Sequence, residues 1–241
     1  MNYDEILRKI LRRYGNMTEN IRALQVVENK LKRSAATYAD AQNYAIAIGK
    51  ILKEVFSEYL PEALTDGMLY RAAAEILVEQ PMKIAGRDVG KVAKAIQQAM
   101  NDEAGIGMNA IVPAMNQDQI TGIITGICNA ESFELVESIF LDQVQNFMQG
   151  YVDDFVHENA KFQSEAGLTI YVQRTVMGNK PCEWCKGLAG TYPYDEVSDR
   201  GNDVWRRHLD CKCMIVYDPR GSKRRDVVYN GSVNPRRRTN T

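Results

Sequence analysis

A chain of 241 residues, 45% hydrophobic and 25% charged with a formal charge of −1, has the make-up of a globular protein with a sizeable buried core. That composition excludes collagen-like and highly charged disordered chains, and no run approaches the roughly 18–20 apolar residues of a membrane span. The polar, acidic start does not suit a signal peptide, so a reducing cytosol is expected, where five cysteines serve as metal ligands or core rather than as disulfides.

Asn16-Met17-Thr18-Glu19 has the form of a capping box. Beyond it Ile21, Leu24, Val27, Leu31, Ala35, Tyr38, Ala41, Ala45, Ile48, Leu52, Val55 and Tyr59 recur at spacings of three and four, which predicts one long helix ended by Pro61. At 1.5 Å per residue it would be about 60 Å long, so its seam is expected to pack on another helix of this chain, of a second copy or of a partner. Shorter helical patterns follow over 65–79, stopped by Pro81, then 88–101 and 117–129. A second long helix carries Phe133, Val136, Phe140, Val144, Phe147, Tyr151, Phe155 and Phe162. Residues 1–165 therefore read as an elongated helical body.

The pattern changes at Gly167. Leu168 to Val176 is β-branched and partly alternating, and Met214-Ile215-Val216-Tyr217 is a second strand candidate. Residues 166–219 thus form a small β module, and residues 220–241, with seven basic residues against Asp226 alone, a basic flexible tail. The fold class is mainly α with a small β-containing zinc-knuckle module.

The two strands bracket the chemistry. Cys182-x2-Cys185 is followed, after 22 intervening residues, by His208-x2-Cys211-x-Cys213. Two thiolates three apart at a turn converge on one ion, and thiolates with an imidazole select zinc. Gly187 would supply a left-handed turn after the first pair. Five candidates compete for four tetrahedral positions: Cys182, Cys185 and His208 with Cys211, the same three with Cys213, or the four thiolates alone. On an extended segment Cys211 and Cys213 point the same way about 6.5–7 Å apart, so both bind only if the backbone kinks.

Excess ligands predict a closed, structural site rather than a catalytic one with an open position. Pro181-Cys182-x2-Cys185 matches half of a deaminase signature, but no H-x-E precedes it, and His157-Glu158 lacks the second histidine of H-E-x-x-H. His157 is expected to be solvated or locally paired, and Cys128 to be core. Trp184, Tyr192, Tyr194 and Trp205 are read as aromatic cover for the ion, although they could stack on bases. The run Trp205-Arg206-Arg207-His208 suits an acidic partner or a solvated face.

Three stretches together carry a resemblance: Lys180-Pro181-Cys182-Glu183-Trp184-Cys185-Lys186-Gly187-Leu188-Ala189-Gly190-Thr191-Tyr192, Val204-Trp205-Arg206-Arg207-His208-Leu209-Asp210-Cys211-Lys212-Cys213 and Val216-Tyr217-Asp218-Pro219. Over residues 168–230 the chain resembles the C-terminal module of tailed-phage minor head proteins, the Mu F-like head-morphogenesis group. Leu209 stands where many members of that group have proline. The resemblance implies a non-enzymatic protein made in the host cytoplasm and housed in the virion, inside the capsid near the portal. It would assist head assembly or genome delivery. Implied partners are the portal and other head proteins. The long helices by themselves suit self-association, the charge of the tail suits packaged DNA or an acidic portal surface, and neither a membrane nor a small-molecule substrate is expected. The alternatives are a zinc-containing nucleic-acid-binding protein and a metal-dependent hydrolase.

Overall fold

Residues 2–19, 21–177, 182–209 and 211–221 are described by a computed structural model. The basic tail lies outside the described residues from position 222 onward.

After α1 (Tyr3–Thr18), the first long periodic stretch, Ile21 to Tyr59, is two helices, not one: α2 (Arg22–Leu31) and α3 (Tyr38–Tyr59). Asn16 lies inside α1 and caps nothing. The true capping box is at Thr37, whose backbone N–H donates to Asp40 Oδ2 at 2.9 Å while Lys30 Nζ holds the other carboxylate oxygen at 2.6 Å. Ser34, at φ 52°, turns the chain just before it. Heptad spacing survives the break by coincidence, because Ala35 and Tyr38 fit the period although a turn lies between α2 and α3. The seam is consumed within the chain: Ala45, Ile48, Leu52 and Val55 are all fully buried, and α3 packs mainly on α7 (Phe133–Glu165) and α5 (Gln80–Glu103). Leu52→Asp would thus perturb this core rather than an assembly surface.

Gly49 sets the distance of that packing. A β-carbon there would lie 2.9 Å from Gln145 Cγ and 3.0 Å from its Cα, so α3 and α7 would have to separate. Gly49→Ala is expected to cost about 1–3 kcal/mol, as overpacking does. A thermal midpoint equal to that of the parent would show that the helices accommodate a methyl group.

Pro81 does not stop its helix. Following α4 (Arg71–Ala74), residues Glu75–Glu79 form a π turn that runs directly into α5. Proline lacks the N–H of an i→i−4 bond and crowds the carbonyl four residues before it. A π turn immediately upstream shifts that pairing by one residue, so the chain passes through without a break. Next, residues 104–116 run irregularly to α6 (Gln117–Cys128), held where the Asn159 side chain pairs both backbone groups of Ile111 at 2.8 Å. The second predicted long helix is present as α7, about 50 Å long at 1.5 Å per residue for its 33 residues. None of the described helices is long and apolar enough to cross a membrane.

The sheet has three antiparallel strands in the order β2-β1-β3: β1 (Tyr171–Thr175), β2 (Gly190–Pro193) and β3 (Met214–Tyr217). Both predicted strands are present, and β2 is an addition. The sheet packs on α3 and α7 through β3. A buried polar chain ties it down: Tyr38 and Tyr217 each donate to Gln97 Oε1, at 2.6 and 2.7 Å, and Gln97 donates to Asn101 at 2.7 Å. Each of these polar atoms has left water, so the set is stable only while every member keeps its partner.

Candidate metal centre

Between β1 and β2 the short helix α8 (Glu183–Gly187) begins at Cys182, which acts as its cap: the Cys182 sulfur accepts from the Cys185 backbone N–H at 3.3 Å. That bond, ahead of all other influences, draws the Cys182 thiol below its usual pKa. Gly187 is an ordinary helical residue here, without the left-handed conformation the knuckle was expected to need. One turn brings both thiols to the same end of α8.

His208 approaches from the opposite side on the loop before β3. Its carbonyl accepts from Asn146 of α7 at 2.7 Å and from the Cys211 N–H at 3.2 Å, which fixes the loop. The ring Nδ1 lies 2.6 Å from the Leu209 carbonyl, which must be met by an N–H. In the neutral ring Nε2 then keeps its lone pair, and it points at the cysteines: 2.9 Å from Cys185 Sγ and 3.3 Å from Cys182 Sγ. A backbone carbonyl orienting the far nitrogen is the usual support of a metal-binding histidine.

All five sequence candidates are brought together. Their donor atoms form two overlapping triplets, Cys182-Cys185-His208 and Cys185-Cys211-Cys213, each with all atoms within 4.8 Å of one another. Cys185 belongs to both and its sulfur lies 4.0 Å from that of Cys211. For bonds of 2.3 Å, the edge of a tetrahedron is about 3.8 Å, so this spacing fits one ion with little movement. Cys211 and Cys213 lie before β3 rather than on a regular strand, and both sulfurs turn to the cluster. Their sulfurs lie within 4.8 Å of each other, close enough for joint approach to one ion.

Searches of family models, curated proteins and solved structures each found no match to this chain. The centre is therefore described by its own geometry, and that geometry has the ligands and the spacing to hold a metal ion.

Its electrostatics single out Cys211 as the thiolate among the buried sulfurs. The Cys211 thiol is drawn down to about 4, first by a hydrogen bond from Cys213, then by the guanidinium groups of Arg207 and Arg174, which outweigh its burial. Cys213, as the donor in that pair, is pushed up. Cys185 is raised chiefly by burial. The cluster is buried on the sheet side, whereas Cys182 and His208 form an exposed rim covered in part by Trp184, whose ring meets that of His208 edge-on at 5.9 Å.

Two arginines beside the sulfurs were not legible as part of the site. Arg207 is neither on a solvated face nor free for an acidic partner: its Nε and Nη2 grip Asp153 of α7 at 2.5 and 2.9 Å, and its Nη1 reaches the Cys213 carbonyl at 2.8 Å. Arg174 occupies an inward position of β1. Only strand alternation, which sets residue 174 on the same face as Val172, could have pointed to it. Remaining candidates lie elsewhere. His157 is buried and locally paired, with Glu158 at 3.1 Å and the Ser198 carbonyl at 3.0 Å, and Cys128 packs against the helical core. Tyr194 and Trp205 are buried, Trp205 donating to the Val197 carbonyl at 2.6 Å.

Proposed function

We propose that this chain is a structural minor head protein of a tailed bacteriophage, with one zinc ion holding its β module rigid inside the capsid near the portal. The observation that carries the metal part is the convergence of four sulfurs and one oriented imidazole, which offers more donors than a tetrahedral ion can use. Such a set leaves no coordination position for a substrate, in keeping with a role in assembly or genome delivery rather than catalysis. Thiolates and imidazole favour zinc over magnesium, calcium or manganese. The head role rests on the resemblance of the residues around these ligands. Arg207 and Asn146 join the ligand loop to α7, the longest of the described helices, so the metal would brace the β module against the helical body.

Cys182, Cys185, His208 and Cys211 are the proposed ligands. Cys185 touches both His208 and Cys211, and both arginine forks close on Cys211, at 3.8 and 4.0 Å. Cys213 is the reserve. With the seam of α3 used up inside the chain, contacts with the portal or a second copy fall to other surfaces, and the basic tail is proposed to meet packaged DNA.

Elemental analysis of protein purified without chelator is expected to give one zinc per chain. Purified particles made from the genome that encodes the chain should contain it in a few copies each. Zinc-free protein would remove the metal reading, and particles that never contain the chain would remove the head reading.

A further inference from the structure

The guanidinium of Arg174 is 1% exposed and carries a charge that no protein environment removes. A buried charge is tolerated only where an opposite charge and good hydrogen bonds compensate it. Its Nη1 donates to the carbonyls of Asp203, Val204 and Arg206 at 3.3, 2.6 and 2.8 Å, which supply dipoles but no charge. The Nη2 group points at two sulfurs, Cys211 at 3.8 Å and Cys185 at 4.0 Å, while Nε has no partner. Trp184 closes the remaining side, its ring centroid 5.3 Å from the guanidinium carbon. Among the described residues no carboxylate forms an ion pair with Arg174. Arg207 differs in this respect, because Asp153 already neutralises it.

One uncompensated positive charge therefore faces the cysteine cluster. A divalent ion with three thiolates and a neutral imidazole carries −1, which Arg174 balances. Four thiolates would carry −2 and leave a buried negative charge over. We propose that Arg174 is a positioning residue of the metal centre that supplies its counter-charge and bridges Cys185 to Cys211. The ion is then held by three thiolates and His208, with Cys213 beside the set rather than in it. This inference rests on the zinc reading above.

The test uses the full chain loaded with metal. Chelator competition is expected to show zinc bound about 10–100-fold more weakly in Arg174→Gln, the usual loss when a group supporting a ligand is removed. Arg174→Lys should recover part of this, since it restores the charge without the planar fork. In the cobalt(II)-substituted protein the sulfur-to-metal charge-transfer band should move to lower energy in Arg174→Gln, as the sulfurs lose hydrogen bonds. Val172→Ala, which weakens the same face of β1 without touching a sulfur, should leave the band in place. X-ray absorption on the unaltered zinc protein should count three sulfurs and one nitrogen. Four sulfurs would overturn the proposal, and this count decides the matter even if Arg174→Gln does not fold. Metal bound by the parent protein, with affinity and band unchanged in Arg174→Gln, would overturn this inference alone. A parent protein that binds no zinc or cobalt would overturn the zinc reading together with it.

Discussion

Cys185→Ser is expected to abolish metal binding and unfold the β module while most of the helical signal remains. Cys185 is the one residue common to both ligand triplets, and it is 2% exposed, so no water can replace its sulfur at the ion. In small units of this kind metal binding and folding are one event, with an apparent binding energy on the order of 10 kcal/mol or more. The sulfurs form a small cluster of their own, Cys185, Cys211 and Cys213 with Val176 against them, and this end of the module buries too little to hold without the ion, although β1 and β3 also rest on the helical core. The helices keep their own core, in which Ile48, Leu52, Phe56, Phe140 and Phe147 are all shielded from water. Both tryptophans of the chain, Trp184 and Trp205, lie in the module, so fluorescence reports on it almost alone. Their emission should shift to longer wavelength, with far-UV ellipticity largely kept, and a chelator should reproduce this in the parent protein. Cys128→Ser serves as the control and should change neither zinc content nor emission. A Cys185→Ser protein with full zinc and unshifted emission would place the ion elsewhere.

Asp153→Ala should be the most damaging substitution outside the ligands. The side chains of Arg207 and Asp153 are 7% and 2% exposed, they pair through two hydrogen bonds, and Gln42 of α3 donates to the same carboxylate at 2.6 Å. Removing the carboxylate strands a guanidinium in the interior, a loss of about 3–5 kcal/mol. For a chain of this size that corresponds to a fall in thermal midpoint on the order of 10 °C. Arg207→Met should also destabilise, by leaving Asp153 with Gln42 alone. The double variant should lose much less than the two single losses combined, because neither charge is then left unpaired. Strictly additive losses would mean that the pair is not coupled and that each residue acts through separate contacts.

Local pattern was enough to reveal the helical body, the second long helix, two of the three strands and all five metal-ligand candidates. Each of these is written in short-range spacing: three-and-four periodicity in α7, β-branched runs at β1 and β3, and cysteines three apart at a turn. Tertiary structure alone decided the rest. The stretch from Ile21 to Tyr59 keeps its period across a break, since periodicity records which face is apolar and not whether the backbone continues. Ser34 and the Thr37–Asp40 box make the turn. Pro81 was misleading for the opposite reason, because a π turn upstream lets the helix absorb it. Asp153, Arg174 and Arg207 lie 54 residues apart or less and look like ordinary polar positions. Their burial, and the charge balance that follows from it, exists only once α7, β1 and the His208 loop are brought together around the sulfurs.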